Sequence, residues 1–291
     1  MRRLQVHRFL AVAFALALVA PCAAIGHGVV GARFFPATIA SDDPFAADEL
    51  ALPTLALGNH QTDVEFEYSK TIFSHFSLSF GGGYSSVSVP DSADISGWNN
   101  IEITPTWQFA TDADSEFVAS LAMSFEIGGS GAAAVAERFT TYTPKLLFGK
   151  GFGDLPDAFA LLRPLAVTGS IGYAIPGTTD ESRAIEWGGA VEYSLLYLQT
   201  EVRNQGFGQF VAHLTPVVEF ALTSPTEAGG TTDTINPGLI WSGRYVQLAV
   251  EASIPVNHAS GDTVGVLLQL HFYIDDILPH SLGTPLFGDR R

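Results

Sequence analysis

From Val64 to Ile274 apolar and polar positions alternate with a period of two, and the apolar member keeps one parity through each segment. That is the period of a strand, whose successive side chains point to opposite faces. Val64, Phe66 and Tyr68 alternate with Asp63, Glu65, Glu67 and Ser69, and Phe76, Leu78 and Phe80 alternate with Ser77, Ser79 and Gly81. Ile101, Ile103, Trp107 and Phe109 form the next apolar face, then Phe117 to Ile127, Tyr142 to Phe148, Leu165 to Tyr173, and Trp187 to Tyr197. Phe210 to Leu222, Ile235 to Trp241, Val246 to Ile254 and Val264 to Ile274 complete the series. The template predicts about eleven strands over this stretch.

Many of these faces carry aromatics near both ends, as Phe117 with Phe125 and Trp187 with Tyr197 do. Eight residues of strand span roughly 26 Å, close to the ~25 Å apolar band between the aromatic girdles of an outer-membrane barrel. A soluble β-sandwich also alternates, but it seldom lines so many consecutive strands with aromatics at girdle spacing. No stretch after the N-terminus reaches the ~18 uninterrupted apolar residues of a membrane helix. The fold class read here is all-β, a transmembrane antiparallel up-and-down β-barrel.

Connections alternate in length. Thr71 to Ser74, Ala110 to Ser115, Lys150 to Pro156 and Ser242 to Arg244 are tight, whereas Ser85 to Gly97, Gly128 to Glu137, Pro176 to Arg183, Thr223 to Asp233 and Asn257 to Thr263 are longer and polar. Short turns mark the periplasmic side of such barrels and longer loops the outside. Gln199 to Gln209 is the exception, long on the tight side, with room for a helical turn. If Thr71 to Ser74 is periplasmic, the strand starting near Thr62 begins outside, and an earlier strand must rise to it. Leu50 to Gly58 is the candidate despite Pro53, and with it closure and even parity are met by about twelve strands. The expected organisation is a leader over 1–24, a periplasmic or luminal segment over 25–49, the barrel over 50–274 and a periplasmic tail over 275–291.

The leader is read from Arg2, Arg3 and Arg8, the apolar run Phe9 to Ala20, and the small residues Cys22-Ala23-Ala24. That is a secretory signal peptide. Cleavage after Ala24 or Gly26 removes the single cysteine. Of the 291 residues 47% are hydrophobic and only 15% charged, and the net charge is −16. The acidic balance excludes a nucleic-acid partner, because phosphate binding needs clustered bases.

The segments His27-Gly28, Arg33-Phe34-Phe35-Pro36-Ala37-Thr38, Asp42-Asp43-Pro44-Phe45 and Asp48-Glu49-Leu50 resemble the opening of a little-characterised group of Gram-negative outer-membrane proteins. Ile235-Asn236-Pro237-Gly238, Ile254-Pro255-Val256-Asn257-His258 and Gln269-Leu270-His271-Phe272 are similar to its closing segments. More loosely the chain resembles barrels of aromatic-degradation clusters. The resemblance implies an outer-membrane barrel with a transport role and supplies no catalytic residues. The chain departs from the common pattern in ending on a tail rather than on a strand-closing aromatic.

If the apolar parity faces lipid, the other parity faces the lumen. It holds Asp63, Glu65, Glu67, Glu102, Glu116, Glu126, Glu186, Glu192, Glu219 and Glu251, with one base, Lys145, and the histidines His213 and His271. Carboxylates avoid the lipid face, and a water-filled interior solvates them. A narrow negative lumen concentrates cations. Two interiors fit: an open, cation-preferring channel, or a plugged barrel whose acids are paired. Arg33 is the only base between Ile25 and Glu49, too few to neutralise that wall, so the open channel is the reading preferred here. The acids Asp42-Asp43 and Asp48-Glu49 read as solvated turn residues.

An outer-membrane enzyme acting on lipid is the remaining class, but Gly-x-Ser-x-Gly and His-Glu-x-x-His are both missing from the sequence. Gly128-Gly129-Ser130-Gly131-Ala132 fails the nucleophile elbow at its last position. No histidine pair has metal-ligand spacing. The expectation is therefore a non-enzyme without cofactor or metal. Its expected partners are outer-membrane lipid and lipopolysaccharide, the barrel-assembly machinery, and small cationic or neutral solutes.

Overall fold

The computed structural model describes residues 28–287 except 59, 91 and 228; the expected leader lies outside them. Twelve antiparallel strands close into a barrel. In chain order they are β1 (Glu49–Leu57), β2 (Gln61–Phe73), β3 (Phe76–Val87), β4 (Ile101–Asp112), β5 (Phe117–Ile127), β6 (Thr141–Gly151), β7 (Leu165–Pro176), β8 (Ala184–Tyr193), β9 (Leu214–Pro225), β10 (Thr232–Ser242), β11 (Val246–Pro255) and β12 (Gly265–Tyr273). Each pairs with its sequence neighbours, and β1 closes the ring against β12, with Leu57 opposite Val266 and Glu49 opposite Tyr273. Pro53, which lacks an N–H for the ladder, sits where the register of β1 with β2 skips between Ala51 and Thr54. The long loop after β3 adds a short strand, Ile95–Trp98, beside β3.

The outer wall is apolar and exposed: Phe66, Phe80, Trp107, Leu121, Leu146, Ile171, Trp187, Leu239 and Val250 all lie on the surface. A continuous belt of this kind is stable only against lipid. The described residues contain no helix long and apolar enough to cross a membrane. The long connection between β8 and β9 holds short helices, Leu195–Tyr197, Leu198–Val202 and Gln209–Ala212.

The lumen is not empty. After a two-residue hairpin, Val29–Val30 against Arg33–Phe34, residues 35–48 run up inside the barrel and return to the start of β1. The hairpin turns at Gly31, whose φ is +63° and where a Cβ would come within 2.3 Å of the Ala113 carbonyl oxygen. Two small cores anchor this strap. Phe35 packs with Val118, Ala166 and Phe45, and Ile39 packs against Ala190, Val217, Ile240 and Ala249 on the inner wall.

The short-turn end of the barrel is sealed by buried polar groups. Arg33, 1% exposed, donates to Glu116 (3.2 Å) and to the Pro164 carbonyl (2.8 Å), also contacts the Arg163 carbonyl, and lies 3.9 Å over the Tyr197 ring. The Tyr197 hydroxyl donates to Glu116 at 2.8 Å. Burial and that bond push its pKa up to about 12, so it stays a neutral donor. Lys70 donates to Asp48 (2.6 Å) and to the Thr284 carbonyl (2.8 Å). The tail takes over pairing with β2 below the start of β1: Leu286 and Phe287 N–H donate to the carbonyls of Thr71 and Ile72.

Candidate functional site

The strap is fixed to the wall through its backbone. Glu219 on β9 accepts N–H bonds from Ile39 (2.8 Å), Ala40 (2.8 Å) and Ser41 (2.9 Å), and the Ser41 hydroxyl as well (3.1 Å). Gln247 on β11 makes a reciprocal pair with Ala37, accepting its N–H (3.2 Å) and donating to its carbonyl (2.7 Å). Asp42 meets Lys145 on β6 at 3.1 Å. Gln108 accepts the Ala46 N–H at 3.3 Å, and Ser120 bonds to the Pro44 carbonyl.

These contacts correct the expectation of an open lumen. A shortage of bases does not keep the strap out, because backbone N–H groups hydrogen-bond the wall carboxylate and stabilise it without a cation. They also correct the reading of Asp43 and Asp48 as solvated turns, while Asp42 stays exposed beside Lys145. Asp48 is buried on Lys70 and Thr71. Asp43 lies deep in the lumen, where burial and the charge of Glu49 push its pKa up to about 8 against the opposing pull of the Phe45 N–H.

The strap leaves open space on both sides of its tip. One cavity of about 650 Å³ lies between it and the β1–β6 wall, running from Asn99, Asn100 and Glu137 near the longer loops down to Glu49 and His271. A second, of about 440 Å³, lies toward β7–β10 and includes Glu186. Residues 40–42 and Lys145 border both.

Strand register arranges the larger cavity's wall in two rungs. His271, Ala51, Glu67, Gly81, Glu102 and Glu126 lie opposite one another in succession across β12, β1, β2, β3, β4 and β5. One rung toward the outside, Gln269, Thr54, Glu65 and Gly83 do the same. Glu126 accepts from Asn100 at 3.0 Å and Glu102 from Thr104 at 3.1 Å. His271 pairs with Glu49 at 2.7 Å.

Of the residues singled out by parity, Glu65, Glu67, Glu102, Glu126, Lys145 and His271 therefore border the larger cavity and Glu186 the smaller. Asp63 lies near the outer rim beside Gln61. Glu192, Glu219 and Glu251 are buried in the wall, and Glu116 belongs to the seal at the short-turn end. His213 is not luminal. Its Nδ1 lies 2.7 Å from the Gln209 carbonyl and its ring 6.4 Å from outward-facing Trp241, on which Phe210 stacks at 5.9 Å. The helical turn Gln209–Ala212 breaks the period of two, so parity cannot be carried through it. Sequence reasoning missed Gln247, Gln269 and the strap's own backbone. A lone glutamine on an alternating strand gives no signal of its partner.

No family model matches the chain, and no curated protein matches it in sequence. Among solved structures, the KdgM porin superposes with a TM-score of 0.51 at 14% identity, over 77% of this chain and 98% of that one. The likeness is one of fold. The KdgM porin in complex with disordered oligogalacturonate gives 0.50 at 13% identity, over 77% and 98%. The NanC porin gives 0.49 at 10%, over the same 77% and 98%. The porin-like barrel and its apolar belt make this an outer-membrane protein.

Proposed function

We propose that the protein is a channel for small solutes across the outer membrane, gated by the strap, with an outer vestibule whose acids favour cationic and neutral solutes. The carrying observation is how the strap is held. It makes no continuous ladder with the barrel strands, and its tip depends on one wall carboxylate, Glu219, one wall amide, Gln247, and the Asp42–Lys145 pair. Such contacts break and re-form without loss of any barrel strand. The KdgM porin is found in complex with oligogalacturonate, a polyanion. The rung of Glu67, Glu102 and Glu126 argues for the opposite sign of solute here.

The test is conductance and reversal potential of refolded protein in planar bilayers under a salt gradient. Brief, infrequent openings are expected, more frequent in E219Q, with cation preference that weakens as the Debye length falls from ~10 Å at 0.1 M to ~3 Å at 1 M salt. A silent E219Q barrel rejects the gate, and an anion-preferring pore rejects the role of the acids. The buried pairs Arg33–Glu116 and Lys70–Asp48 favour a second reading, a permanently plugged structural barrel. It predicts silence in every strap variant.

A further inference from the structure

The glycines of β3 break the acid wall at two chosen places. Gly81 stands between Glu67 and Glu102 on one rung, and Gly83 follows Glu65 on the next. Glu65 and Glu67 project from one face about 7 Å apart along β2, and the Glu67 and Glu102 backbones stand roughly 10 Å apart across β3. With no side chain at Gly81, the space between the carboxylates is a trough floored by backbone. A Cβ at Gly81 would meet only ordinary contacts, 3.6 Å or more from its nearest neighbour. Folding alone therefore does not demand glycine there.

One further group points to a ligand with hydrogen-bond donors. Gln269 is 9% exposed, borders this cavity, and donates its Nε2 to Thr54, yet its Oε1 has no hydrogen-bond partner. A buried carbonyl oxygen left unpaired is costly, and a donor entering the cavity relieves that cost. Among the described residues no three Asp, Glu, His or Cys side chains converge as metal ligands do. The acids are spread along a trough, matching a ligand whose positive charge is also spread.

We propose that the larger cavity is a binding site for linear organic diamines, one ammonium lying over Gly81 between Glu67 and Glu102 and the other toward Glu65 and Gln269. This deepens the channel reading by naming a solute class and rests on it only for passage, since the cavity reaches the outer rim without movement of the strap. Lys145 does not oppose the ligand, because Asp42 already neutralises it. A volume of about 650 Å³ holds such a chain with water to spare.

Calorimetric titration of the refolded full-length mature chain in detergent tests this with 1,4-diaminobutane as probe. Butylamine, 1,4-butanediol and magnesium chloride serve as comparisons. Saturable one-site binding is expected for the diamine, at least tenfold weaker binding for butylamine, and none for the diol. E67Q/E102Q should weaken binding thirtyfold or more. Gly81→Val, whose Cβ meets no atom closer than 3.6 Å, should weaken it at least tenfold. Gln269→Leu should cost a smaller factor, three to ten. The heat-modifiable gel shift verifies that each variant is folded, and E65Q replaces any that is not, with a tenfold loss expected. Diamine binding no tighter than that of the diol, unchanged affinity in E67Q/E102Q, or magnesium binding as tightly as the diamine each overturn the proposal. Binding by a barrel that never conducts supports the site while rejecting the channel, and conduction without binding does the reverse.

Discussion

Glu219 Oε2 lies 2.8 Å from the backbone nitrogen of Ala40, joining the inner wall of β9 to the tip of a strap that precedes it by 179 residues. The same carboxylate takes the N–H groups of Ile39 and Ser41. Three convergent amides around one carboxylate form a nest for an anion, and hydrogen bonds to a charged partner contribute about 1.5–3 kcal/mol each. In E219Q the charge is lost and the amide oxygen serves fewer donors. Hydrogen exchange at Ile39, Ala40 and Ser41 should accelerate at least tenfold, with β9 and β10 amides unchanged. Equal protection in both proteins would show that the apolar contact of Ile39 alone holds the tip.

Arg33 and Glu116 predict a different kind of loss. Both are buried, and Arg33 is further tied to the Pro164 carbonyl and to the Tyr197 ring. Removing one member of a buried pair strands the other, at a cost of about 3–5 kcal/mol. Arg33→Met should therefore lower the urea midpoint of unfolding markedly, and adding Glu116→Gln should recover a good part of the loss. No recovery in the double variant would mean that Arg33 acts mainly through the carbonyls it caps.

The barrel was legible because lipid enforces it. Every second residue of a spanning strand must be apolar, so Trp107 and Phe109, or Trp187 and Val191, declare their strands without any knowledge of partners. Even the interrupted strand β1 followed from parity, since an odd number of strands cannot return both ends to one side. The strap carried no such mark. Its bonds to Glu219 and Gln247 use its main chain, which every sequence possesses equally. The rungs were hidden for a related reason: that Gly81 stands between Glu67 and Glu102 depends on register across three strands. His213 shows the converse error, parity extended through a helical turn that does not keep it.

The seam offers a direct check on closure. Ala56 on β1 stands opposite Leu267 on β12, and cross-strand neighbours have Cα atoms about 4.5–5.5 Å apart, within the range a disulfide accepts. Ala56→Cys with Leu267→Cys should oxidise to a species that keeps its folded gel mobility and unfolds at higher urea, reverting on reduction. Pairing Ala56→Cys with Leu268→Cys, one residue out of register, should crosslink far less. Equal yields would show that the seam slips.

Asp43 gives the strap a pH dependence whose sign is fixed. In the lumen its pKa is about 8, raised by burial and by Glu49; on a strap released into water it returns to the ordinary aspartate value, near ~3.9. The released form then binds fewer protons than the docked form between these values, so docking weakens as pH rises through that window and levels off above about 8. The carboxylates facing Asp43 on β1 and β2, Glu49 and Glu67, push in the same direction, while His271 on β12 opposes them. Open probability in bilayers should therefore climb from about pH 5 to about pH 8. Asp43→Asn removes the ionisation and should flatten most of that climb, leaving the strap docked at the upper end of the window nearly as firmly as at the lower. Hydrogen exchange at Ile39 to Ser41, measured in the same window and corrected for the intrinsic pH effect, should follow the open probability in both proteins. A wild-type strap that grips more tightly at high pH, or an Asp43→Asn protein with the full wild-type slope, would place the controlling proton elsewhere.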